Sequence, residues 1–157
     1  MPRPTPQAAP DRPAPDDLDA LPAGPAQVAA LCARRKAGRA EVLMITSRTT
    51  RRWILPKGWV IAGKSGPESA LIEAWEEAGV IGEVAQAPIG QYRYRKLLGL
   101  GEALLCRVDV YPVRVRKLAK HFPERAERRR KWMPARKAAK RVAEPELAAI
   151  LRALHGG

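Results

Sequence analysis

One segment constrains this chain more than any other: LPKGWVIAGKSGPESALIEAWEEAGV, residues 55 to 80. Ser65 and Glu68 have the Ser-x-x-Glu spacing of a capping box, in which each side chain takes the other's free backbone amide. Pro67 suits a first helical turn, and Gly79 suits the left-handed residue that ends a helix. The signals at both ends predict a helix over 66 to 78. Ahead of it, Gly58, Gly63 and Gly66 with Pro56 and Pro67 predict a loop.

Inside that helix stand Glu73, Glu76 and Glu77. With Glu73 as the zero of a helical wheel, Glu77 falls at about 40°, Glu76 at about 300° and Ser69 at about 320°. Leu71, Ala74, Trp75 and Ala78 fall between roughly 100° and 200°. The wheel predicts a core face of those four residues and a carboxylate face opposite. An amphipathic helix commonly carries Glu on its wet side, but two features argue for more. Anions in the last turn oppose the helix dipole at about 0.3–1 kcal/mol each. Two carboxylates about 6 Å apart repel by roughly 3 kcal/mol at an effective dielectric of 20. A divalent cation would turn that repulsion into attraction, and hard cations take oxygen ligands.

The rest of the 157-residue chain is strongly basic, at net charge +13. Residues 114 to 141 hold thirteen Lys and Arg against Glu124 and Glu127 alone. Such a block either attracts polyanions, nucleic acid included, or serves as a solvated face. Residues 1 to 25 carry eight of the fifteen prolines, so a disordered tail is expected there, followed by one domain over 26 to 157. No apolar run is long enough for a membrane span. Cys32 and Cys106 lie far apart in apolar surroundings, as buried thiols of a reducing, cytoplasmic protein would.

Short apolar runs predict strands at 27 to 35, 40 to 48, 51 to 56, 82 to 87, 89 to 95, 103 to 115 and 128 to 134. The first two form a hairpin at Gly38, and Pro112 interrupts the sixth. Two short helices follow, opening on Pro134 and Pro145. A mixed sheet with helices packed around it, of the α/β (α+β) class, fits this order.

The central segment resembles the Nudix box, GX5EX7REUXEEXGU, with U a bulky aliphatic residue. Gly58, Glu73, Glu76, Glu77, Gly79 and Val80 match it in register. RWILPKGW before it, and RRRKWMPARKAAKRVAEPELAAILRAL at the end, resemble the approach strand and the late strand and helices of Nudix hydrolases, so the likeness covers about residues 27 to 155. Two positions depart: Lys64 stands where the box has Glu, and Ile72 where it has Arg. In the family those opposite charges can steady the loop against the helix, and losing both leaves no single orphan charge.

The resemblance implies an α/β/α sandwich and hydrolysis of a diphosphate bond. It implies Mg²⁺ or Mn²⁺ on Glu73, Glu76 and Glu77, with help from a backbone carbonyl at Lys57 or Gly58. Glu73 or Glu77 would act as catalytic base, with Glu124 and Glu127 as alternatives. The PKGW and EEAGV elements look closest to the diphosphoinositol-polyphosphate and diadenosine-polyphosphate branch. There, residues like Ser47, Arg48, Arg51 and Arg52 contact phosphates, as Arg does well through paired hydrogen bonds. On YRYRK, alternation puts Arg93 and Arg95 on one side as further phosphate contacts and Tyr92 and Tyr94 on the other. The tyrosines read equally as core or as a stack for a base. Trp132 reads as core, and His121 and His155 have no evident partner. Two other readings share the sequence: a degenerate Nudix fold that binds RNA or polyphosphate without cleavage, and an RNA 5′-end pyrophosphohydrolase.

Overall fold

The computed structural model describes residues 15–155. Eight strands form one mixed sheet: β1 (Gln27–Lys36), β2 (Arg39–Thr46), β3 (Trp53–Ile54), β4 (Lys57–Trp59), β5 (Val80–Val84), β6 (Gly90–Gly99), β7 (Glu102–Leu118) and β8 (Arg130–Pro134). The helices are α1 (Gly66–Ala78), α2 (Ala135–Arg141) and α3 (Pro145–His155).

The path through the sheet is β3-β2-β1-β7-β5, with β4 on β1, β6 on β7 and β8 on β2. Among the described residues, β1 and β7 are the one parallel pair of strands; the other pairs are antiparallel. The expected β1–β2 hairpin forms at Ala37 and Gly38, both left-handed, at φ 52° and 77°, the turn whose twist matches its strands.

Pro112 does not interrupt β7. It lies at a handover, where β7 passes from β6 (Gly90 opposite Val110) to β5 (Val84 opposite Val113). A residue without an amide donor is tolerable where ladder bonds change partner. The strand expected over 51 to 56 is shorter, and β4 was not foreseen. β4 is three residues around a glycine, too short for any alternation to show.

Two apolar clusters sandwich the sheet. One face, with Leu31, Val42, Met44, Tyr92, Val108 and Val110, packs on Ala135, Ala138, Leu147 and Leu151 of α2 and α3. The other, with Val28, Ala30, Leu43 and Ile45, packs on Ala70, Ala74 and Ala78 of α1. This is the α/β/α sandwich that the resemblance implies. Cys32 and Cys106 are buried free thiols.

Residues 1–14 of the proline-rich stretch lie outside the described residues. The rest of that stretch lies among the described residues. Pro15–Ala20 forms a 3₁₀ helix, and Gly24 N–H donates to Leu105 O while Leu105 N–H donates to Pro22 O, at 2.9 and 2.8 Å. Proline lacks a donor but keeps its acceptor, so this segment joins β7 through its carbonyl. Among the described residues no helix is long and apolar enough to cross a membrane.

Candidate active site

The helix α1 is capped as its sequence specifies. Ser65 Oγ accepts from Glu68 N–H at 3.2 Å, and Glu68 Oε1 accepts from Ser65 N–H at 2.9 Å. Gly79 closes the other end in the left-handed region, at φ 69°.

Its faces differ from the wheel's expectation. Trp75, assigned to the core, is 36% exposed, and Leu71 is only half-buried. Glu77, assigned to water, is 6% exposed. The physical reason is that the buried sector is a line of small residues. Ala70, Ala74 and Ala78 let α1 approach the sheet closely, and a bulky Trp75 has no room beneath. The carboxylate side is then covered by the 57–61 backbone. Ser69 Oγ accepts from Ile61 N–H at 3.0 Å, and Glu77 Oε1 accepts from Lys57 N–H at 3.1 Å.

Gly58 completes this contact. A Cβ there would lie 2.5 Å from the carboxyl carbon of Glu73; the absence of a side chain lets the carboxylate rest on β4. Glu73 and Glu77 therefore converge over Lys57 and Gly58. Burial, then the Glu73 carboxyl beside it, pushes Glu77 up to about 8, against the pull of Arg128 and the Lys57 amide. Burial raises Glu73 too. Two carboxyl groups sharing a half-dry space cannot both ionise cheaply.

The segment between β7 and β8 closes over the end of α1. Glu124 N–H donates to Glu76 O at 2.9 Å. Arg128 extends from this segment between three acceptors. Its Nε donates to Glu124 Oε1 at 2.8 Å, its Nη1 donates to Thr46 O at 3.1 Å, and its Nη2 lies 3.8 Å from Glu77 Oε2. Arg130 Nη1 donates to Ala78 O and its Nη2 to Ala119 O, at 2.7 and 2.8 Å. The sequence reading missed both arginines, because a run of four basic residues does not show which ones turn inward. The available signal was α1 itself, whose last turn has no basic residue of its own.

The expected phosphate contacts divide. Ser47–Arg52 forms a turn in which Ser47 Oγ accepts from Arg52 N–H at 2.9 Å, so Ser47 builds the loop. Arg48 is held charged by its hydrogen bond to Glu127, with Glu124 and more weakly Glu77 adding to the field. Arg51 Nη1 donates to Glu127 O, and Arg52 lies 3.7 Å from Glu144. This loop therefore stands at the carboxylate end of α1.

Arg93 does not stand there. It is tied to Glu146 at 3.2 Å and to Asp19 at 2.6 Å, joining β6 to α3 and to the 3₁₀ helix. Arg95 is half-buried, and its Nε has no hydrogen-bond partner. Tyr92 is core, while Tyr94 OH donates to Gln27 and its ring lies 5.0 Å from Lys57 Nζ. Trp132 is half-buried beneath the Arg34 guanidinium.

Among the described residues, no three His, Cys, Asp or Glu side chains form a ready-made metal cluster. The expected triad of Glu73, Glu76 and Glu77 is thus not preassembled: Glu76 sits on the flank of the helix, and the converging groups are Glu73 and Glu77. That pair fits a hard divalent cation of the Mg²⁺ kind, which binds one or two carboxylates and fills its shell with water and substrate oxygens.

The chain thus combines a three-layered α/β/α fold with a carboxylate pair on one helix, Glu77 buried and Glu73 half-buried. No family model matches the chain. Its sequence is 32% identical over 101 residues to Nudix hydrolase 12, mitochondrial, of Arabidopsis thaliana, covering 62% of this chain and 50% of that protein. The chain thus spans about half the length of that relative, and 51% of the related Nudix hydrolase 13. In structure it resembles the Ap4A hydrolase of C. elegans in a binary complex, with a TM-score of 0.63 at 20% identity over 82% of this chain and 93% of that one. The dihydroneopterin triphosphate pyrophosphohydrolase of E. coli gives 0.63 at 16% identity, over 87% and 99%. In sequence and in fold, the chain resembles the Nudix hydrolases.

Proposed function

We propose that the protein is a divalent-cation-dependent pyrophosphohydrolase. Its substrate would be a highly phosphorylated small molecule, of the dinucleoside polyphosphate or inositol pyrophosphate type. The observation that carries this reading is the Glu73–Glu77 pair, the first half-buried and the second buried, held against the backbone of Lys57 and Gly58. Among the structural relatives, an Ap4A hydrolase and a triphosphate pyrophosphohydrolase support the substrate class by their names.

Glu73 and Glu77 would hold Mg²⁺ or Mn²⁺, with Glu76 beside them and a Lys57 or Gly58 carbonyl completing the protein's share. When bound, the cation would supply Lewis acidity toward phosphoryl oxygens. Glu77 Oε1 is fixed by the Lys57 amide, so this carboxylate is oriented before any ligand arrives. Whichever of Glu73 and Glu77 keeps an oxygen free of the cation would accept a proton from an attacking water. Arg48, Arg51 and Arg52 bring fixed positive charge to the same end of α1, where they would bind and orient the polyphosphate.

The test is product analysis with Mg²⁺ or Mn²⁺ on a panel of dinucleoside polyphosphates, inositol pyrophosphates, nucleotide sugars and triphosphorylated or capped RNA. Metal-dependent release of phosphate products by the native protein, lost in Glu77→Gln, is expected. No turnover on any of them, with no metal binding, would overturn the proposal.

A further inference from the structure

Arg128 is not part of the box-like segment, yet its side chain is only 8% exposed and faces a Glu77 side chain 7% exposed. A buried guanidinium remains charged and persists only where its surroundings repay the desolvation. Here the acceptors come from three elements: Glu77 on α1, Glu124 on the segment after β7, and the Thr46 carbonyl at the end of β2.

The distances are graded. Glu124 and Thr46 accept direct hydrogen bonds at 2.8 and 3.1 Å, whereas Glu77 Oε2 stays at 3.8 Å. That is an ion-pair separation, too long for a hydrogen bond. Glu77 Oε1 meanwhile accepts from the Lys57 amide. One carboxylate oxygen thus takes a backbone hydrogen bond and the other lies beside a charge, while Glu73 also hydrogen-bonds the group. At that distance Arg128 acts on Oε2 through its charge and not through a hydrogen bond.

We infer that Arg128 is a positioning residue: it sets the direction of the Glu77 carboxylate and ties Glu124 to the same site. This deepens the reading of Glu73 and Glu77 as a cation-binding pair and rests on it. The box-like position where a guanidinium would be expected holds half-buried Ile72, and the guanidinium reaches the helix from the segment before β8 instead. Lys at 128 would keep the charge but lose the fork that spans several acceptors at once.

The full chain is titrated with Mn²⁺ alone by calorimetry, as native protein, Arg128→Gln and Arg128→Lys. Thermal unfolding and, where a substrate is turned over, kcat and KM are measured alongside. Loss of a group that orients a ligand typically costs about 10–100-fold in metal affinity or activity, and that loss is expected for Arg128→Gln, in kcat rather than KM. Arg128→Lys should recover part of it. A purely structural tie would lower the unfolding temperature and leave Mn²⁺ affinity unchanged, and that result overturns the inference. If Arg128→Gln does not fold, Arg128→Lys decides: weakened Mn²⁺ binding supports the inference, and native affinity overturns it. A native protein that binds Mn²⁺ but cleaves nothing on the panel refutes the hydrolase reading while the Mn²⁺ comparison still decides the role of Arg128. A native protein that does not bind Mn²⁺ overturns both.

Discussion

The two ends of α1 are built on opposite terms. At the N-terminal end every local preference is met: Ser65 and Glu68 satisfy each other's amides, Pro67 occupies the first turn, and the acidic residue lies where the dipole favours it. At the C-terminal end the local preferences are broken. Glu76 and Glu77 sit in the unfavourable turn, and Glu77 is buried beside Glu73 with its proton affinity raised. The compensation arrives from far along the chain, as Arg130 on the Ala78 carbonyl and Arg128 beside Glu77. An end that satisfies itself is there to hold the fold. An end that needs distant cations, and still keeps two carboxyls in conflict, is shaped for something other than stability.

Four measurements separate these ends. The largest effect belongs to Glu77→Gln. Turnover should fall by more than about 100-fold, the upper range for losing a group that merely supports a ligand. The metal-free protein should be no less stable, because the amide still accepts from Lys57 and, like a protonated carboxyl, carries no charge. Equal turnover in both proteins would move the chemistry elsewhere.

Gly58→Ala comes next. Its methyl would meet the Glu73 carboxyl at 2.5 Å, and a flexible carboxyl can swing aside. The fold should survive while metal affinity drops by about 10–100-fold. Unchanged Mn²⁺ affinity would mean that the seat of Glu73 on Gly58 does not matter.

The third concerns pH. The folded state holds a proton on Glu77 up to about 8, where the unfolded chain releases it near 4.5. Between those values the native state binds more protons than the unfolded state, so stability must fall as pH rises. The chelated protein should therefore lose unfolding temperature across that window, and Glu77→Gln should flatten the slope. A native protein whose stability rises across the window would contradict the burial of this group.

The smallest effect is at the other end. Ser65→Ala should cost about 1 kcal/mol of stability and leave turnover unchanged. A large loss of activity there would erase the distinction between the two ends.

Much of this was legible in the sequence, and the parts that were not have a common cause. The caps of α1, the β1–β2 hairpin and the register of Glu73 and Glu77 are signalled by residues within a few positions of one another. What packs upon a face is not. The wheel placed Trp75 inside and Glu77 outside because Trp is apolar and Glu is charged. It could not show that three alanines would bring the helix against the sheet, nor that β4 would lie across the carboxylates. Arg93 looked like a phosphate contact by strand alternation, yet Glu146 and Asp19, both remote in sequence, claim it. Arg128 and Arg130 were hidden in RRRK for the same reason: their partners lie on α1, on β2 and after β7.

The most direct measurement is the count of protons released when Mn²⁺ binds, obtained by calorimetry at neutral pH in buffers of different ionisation enthalpy. If Glu73 and Glu77 share a proton that the cation must displace, binding should release protons from the native protein and release fewer from Glu77→Gln. Mn²⁺ binding without proton release, or with the same release in both proteins, would contradict a cation site built on this pair.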